Sequence, residues 1–327
     1  MHKLSIRNQI SGIIGNLLEH YDTALFGLLA PFLAPIFFPN QNSLNGLILT
    51  HSILCSGILI RPFGALFFGW IGYIFGRRQA LSLSLLGTAF VTIGIGFLPT
   101  YEKVGIYAPL FLTLGKMLQS FFAAAEFIGG AIFVLEHTPQ EKQSLLSSLY
   151  DSCAIGGVLL ASVIVTYMSE YTHLENTWRI LFWLGGITAI IGFYLRWNNI
   201  TYGNPNYSQK TSSVFSILRF NRKQFISIVI TSGFSYAIYS LAFSLMNGYI
   251  PLVTSFSKTT MMQLNSILLV VDMLLLPLFG GLSSKIGKEK IMMIGAILSS
   301  ICAIPLFALL KNAPFTLITV SYTHLRA

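Results

Sequence analysis

The sequence contains few charged residues. Asp, Glu, Lys and Arg make up only 9% of its 327 residues, whereas 54% of the chain is hydrophobic and its mean hydropathy is +0.70. Soluble globular proteins carry about 25% charged residues, so this composition excludes a water-soluble protein. Apolar runs of roughly 20 residues, each long enough to cross a bilayer, recur along the chain instead. The sequence therefore predicts an all-α polytopic membrane protein.

Cysteine is also scarce, and the motifs of several enzyme classes are missing. Cys55, Cys153 and Cys302 lie inside apolar runs, and none has a partner at a metal-binding or redox spacing. The sequence has no glycine-rich phosphate loop, no metal-binding histidine pair and no nucleophile elbow. We therefore predict no catalytic residue, no metal and no cofactor, and a membrane enzyme is disfavoured.

The apolar runs predict nine membrane-spanning helices, and a tenth run begins at Ala313. The predicted spans are 10–37, 45–72, 80–98, 106–135, 145–168, 178–197, 224–254, 260–283 and 291–310. A polar segment that contains Gly, Pro, Ser and Thr separates the sixth span from the seventh and is typical of a linker.

This pattern divides the chain into an N-terminal six-helix bundle (1–197), a cytoplasmic linker (198–223), a partial C-terminal bundle (224–320) and a tail (321–327). The apolar pattern stops at the tail. Two explanations stay open: a shortened form of a twelve-helix protein, or a nine-span protein with a short polar end.

Positive charges are distributed unequally between the two sides of the predicted helices. Thirteen Lys and Arg residues fall on one side, against Lys103, Arg179, Lys258 and Lys311 on the other. Because cytoplasmic loops carry the excess of positive charge, we predict a cytoplasmic N-terminus. The formal net charge of +9 arises from these loops, and no basic block predicts a nucleic-acid partner.

A pair of glycines seven residues apart, followed by cations, occurs twice in the chain. Its members are Gly69, Gly76, Arg77 and Arg78 in the first copy, and Gly280, Gly287 and Lys288 in the second. Each copy ends a long apolar run. Corresponding motifs in two halves indicate a duplicated transporter, and we predict that both copies form gating loops on the cytoplasmic side.

Six charged residues lie inside the predicted spans of the first bundle, away from the ends of those spans. Each costs roughly 2.5–3.5 kcal/mol on insertion scales, so each needs a reason to be there. Buried carboxyls can bind and release protons as access alternates, whereas a cation can pair with a substrate carboxylate. We predict proton coupling by Glu19, Asp22, Glu126 and Asp151, and substrate binding by Lys116 and Arg61.

A static role for these charges stays open: Arg61 could neutralise the acids, and Lys116 could pair with one of them. At a rise of about 1.5 Å per residue, the predicted helix ends put the acids and Arg61 in one layer. The same count puts Lys116 roughly 15 Å away from Glu126, towards the opposite side.

Several segments resemble the metabolite:proton symporter family of the major facilitator superfamily. They are Gly15–Asp22, Leu29–Pro39, Arg61–Gly69, Leu98–Glu102, Gly105–Pro109, Lys116–Gln119, Glu126, Gly129–Ala131, Glu136–Pro139, Asp151 and Trp178–Ile180. Lys116, Gln119 and Asp151 resemble the proline/betaine branch in particular.

The resemblance implies a monomeric inner-membrane protein with two pseudo-symmetric bundles and twelve helices, of which nine to ten are present here. It also implies alternating access and proton symport of a small zwitterionic osmolyte or an organic acid. The chain departs from the family in both loops, since Tyr73-Ile74 and Ser284 occupy positions where an acid is expected. A degenerate or receptor-like relative that does not transport is therefore the alternative.

Overall fold

The computed structural model describes residues 6–136, 143–171, 174–199, 220–240, 245–253 and 257–309. Within these ranges the regular structure is helical, as predicted. The helices are α1 (Ile6–Phe37), α2 (Ser43–Phe75), α3 (Arg77–Gly96), α4 (Tyr101–Val104), α5 (Tyr107–Glu136), α6 (Gln143–Tyr171), α7 (Leu174–Asn199), α8 (Arg222–Ser240), α9 (Met246–Val253), α10 (Lys258–Ile286) and α11 (Lys288–Leu309).

Six of the described helices are long and apolar enough to cross a membrane. The qualifying segments are Ser43–Phe75, Gln79–Gly96, Tyr107–Glu126, Gln143–Tyr171, Thr177–Tyr194 and Lys258–Ile286. Each predicted span coincides with a described helix, except that two helices, α8 and α9, lie within the predicted seventh span. The attempted tenth span, most of the predicted linker and the tail lie outside the described residues.

Side-chain caps and glycines define the helix ends. The Asn42 side chain accepts a hydrogen bond from the Asn45 amide at the start of α2. In the same way, Ser257 accepts from the Thr260 amide at the start of α10. Such caps satisfy amides that have no acceptor within the first turn. We call the end of the molecule where α1 ends and α2 begins the Phe37 end, and the opposite end the Gly76 end.

The two glycine-cation segments adopt the same local geometry at the Gly76 end. Gly76 separates α2 from α3 with φ of 95°, and Gly287 separates α10 from α11 with φ of 106°. L-residues with a side chain rarely adopt this region, so glycine permits the next helix to begin at once. The duplicated sequence therefore produces duplicated turns.

The N-terminal bundle packs around α1. This helix lies against α6 and α7, α2 packs along α5, and α3 packs against both α5 and α7. Its core includes Tyr21, Phe26 and Phe37 of α1 together with Trp178 and Phe182 of α7. Helix α6 also packs along α10, where Ser152 Oγ donates to the Met273 carbonyl at 2.6 Å.

Small residues permit the close approaches that position the site. A β-carbon at Gly157 of α6 would overlap the Leu17 carbonyl of α1, and one at Gly64 of α2 would overlap the Phe121 carbonyl of α5. Membrane helices associate through such packing because lipid tails supply no hydrophobic driving force between helices. The backbones of α1 and α6, and those of α2 and α5, consequently lie in close contact.

Candidate functional site

Asp22 lies at the centre of a buried polar group inside the N-terminal bundle. Its Oδ2 accepts hydrogen bonds from Thr92 Oγ1 of α3 at 2.7 Å and from Gln119 Nε2 of α5 at 2.8 Å. Gln119 Nε2 also contacts Thr92 Oγ1 at 2.8 Å. Asp22 and Gln119 are only 2% and 3% exposed. One carboxylate oxygen thus joins three helices.

Gln119 connects this carboxylate to a buried cation. Lys116 Nζ donates to Gln119 Oε1 at 2.6 Å and lies 5.1 Å from the centroid of the Phe26 ring of α1. Because an ammonium can only donate and a carboxylate can only accept, the amide of Gln119 must direct its oxygen to Lys116 and its nitrogen to Asp22. We call Asp22, Phe26, Thr92, Lys116 and Gln119 the Asp22 cluster.

The second oxygen of Asp22 is buried without a hydrogen bond. A β-carbon at Gly185 of α7 would lie 2.8 Å from this Oδ1, so the glycine leaves the space that the carboxylate occupies. The adjacent Tyr21 hydroxyl is also buried without a hydrogen-bond partner. Since buried polar atoms are normally bonded, this side of the cluster retains capacity to bind a proton or a polar ligand group.

The cluster combines an acid, a cation and an aromatic face away from water. Attraction between opposite charges is stronger in such an environment than in water, so a change of protonation at Asp22 changes the environment of Lys116. An uncommitted ammonium can pair with a carboxylate, and an aromatic face can receive a cation. The arrangement is therefore suited to a ligand that carries both kinds of group.

Glu126 lies on α5, facing α3, at a different level from Asp22. It is 1% exposed, and Ser84 Oγ of α3 lies 3.4 Å from its Oε1. That distance is long for a hydroxyl hydrogen bond, and Ser84 Oγ also donates to the Leu81 carbonyl at 3.1 Å. Ser84 and Thr92 are eight residues apart, which separates Glu126 from Asp22 by roughly 12 Å along α3.

The predicted layering of the charges was wrong in this respect. The structure groups Lys116 with Asp22 and leaves Glu126 about two turns away, whereas the count of residues had grouped Glu126 with Asp22. The reason is the length of α1, which begins at Ile6 and not at residue 10. The four additional residues move Asp22 about 6 Å further from that end, towards the level of Lys116.

Arg61 and Glu19 lie near the cluster on neighbouring helices. Arg61 is half-buried on α2, between the close approaches of Gly57 and Gly64 to α5. Glu19 is 6% exposed on α1, one turn before Asp22. The structure therefore brings five of the six predicted charges into the bundle interior, at more than one level.

Asp151 is the exception among the predicted acids. Its side chain on α6 is exposed, although its neighbours Tyr150 and Ser152 are buried. The Tyr150 carbonyl accepts from Asn16 Nδ2 of α1 at 3.0 Å, and Ser152 bonds to α10. Asp151 makes none of the hydrogen bonds that define the Asp22 cluster, so its predicted coupling role stays a prediction.

The first glycines of the two loops differ in their surroundings. Gly280 is buried, and a β-carbon there would overlap Ser148 Oγ of α6, whereas Gly69 is exposed and has no atom within 4 Å of that position. Lys288 is exposed. The side chains of Arg77 and Arg78 lie outside the described part of the chain. A gating role for these residues remains a prediction.

Thr92, Gly185 and Phe26 were not predicted from the sequence as site residues. Each contributes to the cluster through a different property: a hydroxyl donor, the absence of a side chain and an aromatic face. A single Thr, Gly or Phe in an apolar helix gives no distinctive signal. A helical projection of α3 and α7 could have placed Thr92 and Gly185 on interior faces, but it could not have paired them with Asp22.

Comparison with known proteins gives an independent assignment. The sequence profile of the Major Facilitator Superfamily matches residues 13–323. The glycine betaine/proline/ectoine/pipecolic acid transporter OusA of Dickeya dadantii is 27% identical over 91% of this chain and 63% of its own length. The proline/betaine transporter of Escherichia coli K12 gives the same three values. The chain thus spans less than two thirds of the length of these relatives.

The fold of the chain is similar to that of a transporter of known structure. The xylose transporter XylE of E. coli, in a partially occluded inward-open conformation, superimposes with a TM-score of 0.76 at 17% identity. The match covers 98% of this chain and 83% of XylE. The duplicated turns, the helix packing and a family match over nearly the whole sequence agree, and the chain belongs to the major facilitator superfamily.

Proposed function

We propose that the chain acts in secondary active transport, as a proton-coupled symporter of a small zwitterionic osmolyte or organic acid. The observation that carries this proposal is the buried connection from Asp22 through Gln119 to Lys116. A purely structural ion pair would gain most from direct contact between the charges. Here an amide lies between the carboxylate and the ammonium, and one carboxylate oxygen stays without a hydrogen bond.

In the proposed cycle, the proton binds to Asp22. Protonation removes the negative charge that attracts Lys116, so the ammonium becomes available to a substrate carboxylate. Gln119 links the two events because it bonds to both groups. Deprotonation on the other side of the membrane restores the attraction and favours release of the substrate. Of the four predicted acids, Asp22 is therefore the one to which we assign coupling.

The substrate class follows from the same side chains. Lys116 supplies the contact for a carboxylate, while the Phe26 ring is the candidate contact for a cationic nitrogen. The names of the two transporters compared above include proline and betaine, which carry both groups. This agreement favours a zwitterionic osmolyte over a dicarboxylate, because a dicarboxylate has no cationic nitrogen to place against the Phe26 ring.

The remaining features of the proposal concern placement in the membrane. We place the protein in the inner membrane as a multi-pass monomer, with the N-terminus and the Gly76 end in the cytoplasm. The excess of positive charge in the loops at that end supports this orientation. Rocking of the two bundles about the Asp22 cluster would then expose the cluster alternately to each side.

Uptake by proteoliposomes tests the proposed function. Vesicles that contain the purified chain should accumulate labelled proline or betaine only when the outside is more acidic than the inside. Accumulation that ignores the pH gradient would contradict symport. The absence of binding and uptake for proline, betaine and dicarboxylates would support the degenerate alternative, which is consistent with the exposed Tyr73 and Ser284 at the positions of the family's loop acids.

A further inference from the structure

Lys258 joins the two halves of the molecule at the Phe37 end. It is the first residue of α10, and its Nζ donates a hydrogen bond to the carbonyl oxygen of Pro31 in α1 at 3.2 Å. The same Nζ lies 5.2 Å from the centroid of the Phe32 ring. One side chain from the C-terminal helices therefore binds both a carbonyl and an aromatic face of the first helix.

The Pro31 carbonyl is available because of a second proline. Within an α-helix, the carbonyl of residue 31 would accept from the amide of residue 35. Residue 35 is proline, which has no N–H to donate, although α1 continues through it to Phe37. A carbonyl released in this way inside a membrane protein needs another donor, and the Lys258 ammonium supplies one.

The surrounding contacts close this end of the molecule. A β-carbon at Gly248 of α9 would lie 2.8 Å from Leu47 Cδ1 of α2 and 3.1 Å from Pro31 Cγ. Leu47 is only 2% exposed. Ser257 caps α10 by accepting from the Thr260 amide at 3.0 Å, which fixes the first turn that carries Lys258. Helices α1, α2, α9 and α10 thus meet around this bond.

Closure of the Phe37 end has a free-energy cost at the buried amide of Asn247. Asn247 of α9 is 1% exposed, and neither atom of its amide group has a hydrogen bond. Opening the junction would hydrate that amide, so its burial favours the open arrangement. The closed arrangement needs a compensating contact between the halves, and the charged hydrogen bond of Lys258 is of the stronger kind.

We propose that Lys258 is a latch that holds the Phe37 end closed through the Pro31 carbonyl and the Phe32 ring. The proposal rests on the alternating-access function, in which this end must open once in each cycle. Release of the latch exposes the junction between α1, α2, α9 and α10, and its formation closes it. The strength of this contact then sets the fraction of molecules whose Phe37 end is open.

Thiol labelling tests the latch without requiring transport. Leu47→Cys is introduced after replacement of the native cysteines by serine, and the chain is placed in lipid nanodiscs, where both ends reach water. The rate of reaction with a membrane-impermeant maleimide reports opening, because Leu47 is buried only while the junction is closed. No substrate and no proton gradient are present, so a failure of the transport proposal leaves the result interpretable.

Lys258→Met should increase the labelling rate about tenfold, as expected for loss of a hydrogen bond to a charged group. Pro35→Ala should also increase it, because the restored amide at residue 35 competes with Lys258 for the Pro31 carbonyl. Lys258→Arg, which keeps the positive charge and hydrogen-bond donors, should be labelled as slowly as the chain with Lys258. Lys103→Met removes another exposed cation at the same end and should leave the rate unchanged.

Unchanged labelling in both Lys258→Met and Pro35→Ala would overturn the latch. Faster labelling in Lys258→Met alone would assign the effect to the charge and overturn the role of the Pro31 carbonyl. Equal acceleration by Lys103→Met would show a general effect of surface charge and would also contradict the proposal. Thermal unfolding of each variant separates opening of the junction from loss of the fold, and Lys258→Arg repeats the test if the methionine variant does not fold.

Discussion

Two buried acids, Asp22 of α1 and Glu126 of α5, lie at different levels of the N-terminal bundle, and their surroundings differ. Asp22 receives two donors on one oxygen, is bridged to a cation and leaves its other oxygen without a bond. Glu126 faces a serine that also donates to its own helix. Both acids are at least 98% buried. Burial is therefore the same at the two sites, and our proposal assigns coupling to Asp22 because Gln119 connects it to Lys116.

Replacing Lys116 should reduce the difference between the Asp22 and Glu126 sites more than any other substitution. Lys116→Met should weaken binding of proline or betaine by about 100-fold, the upper range for loss of a hydrogen bond between charged groups. Asp22 would then be a buried acid without the cation that Gln119 bridges to it in the unchanged chain. Equilibrium binding of labelled substrate to the purified chain measures the change. Affinity close to that of the unchanged protein would exclude Lys116 as the carboxylate contact.

Filling the space beside Asp22 should have the next largest effect. Gly185→Ala places a β-carbon 2.8 Å from Asp22 Oδ1 and 3.3 Å from Thr92 Cγ2, so the carboxylate must move. We expect gradient-driven uptake to fall about tenfold, as misplacement of a reacting group commonly reduces rates by at least that factor. Gly192→Ala on the same helix is the matched control, because its β-carbon would make only ordinary contacts at 3.8 Å. Equal loss in the two variants would point to general disruption of α7.

Removing the hydroxyl donor at each level compares the two sites directly. Thr92→Val should lower the free energy of unfolding by about 1–3 kcal/mol and slow uptake several-fold, because Asp22 Oδ2 loses one of its two side-chain donors. Ser84→Ala should cost about 1 kcal/mol or less, since the bond to Glu126 is long. Denaturation of both variants in the same detergent gives the difference. A larger loss for Ser84→Ala would reverse the ranking of the two levels.

Neutralising Glu126 should have the smallest effect on coupling. Glu126→Gln keeps the size of the side chain and its ability to accept a hydrogen bond from Ser84. We expect gradient-driven accumulation to remain within about twofold, because the proposed coupling acid is Asp22 and the substitution leaves the Asp22 cluster unchanged. Accumulation is measured at a fixed pH gradient. Complete loss in this variant, with the fold preserved, would assign coupling to Glu126 as well.

Much of the fold could be predicted from the sequence, because apolar length and hydropathy determine which segments cross a membrane. The duplicated turns at Gly76 and Gly287 were also recognisable, since both need a residue that tolerates positive φ. The position of each charged residue along the bundle could not be predicted in the same way. A change of four residues at the start of α1 was enough to move Asp22 by about one helical turn.

The pairing of side chains was harder still to predict. Lys116 and Gln119 are three residues apart and share one face of α5, so their bond could be inferred from spacing. Their connection to Asp22 depends on the tilt and rotation of three helices, which hydropathy does not specify. Likewise, the two prolines at residues 31 and 35 predict a released carbonyl, but only the packing of α10 identifies Lys258 as its donor.

Substrate-induced proton movement tests the central claim most directly. Proline or betaine is added to lightly buffered proteoliposomes, and the external pH is recorded with a dye for the unchanged chain, for Asp22→Asn and for Glu126→Gln. We predict that the external medium becomes more alkaline with the unchanged chain and with Glu126→Gln. Asp22→Asn should bind substrate and exchange it across the membrane without moving protons. Proton uptake by Asp22→Asn equal to that of the unchanged chain would contradict the assignment of coupling to Asp22.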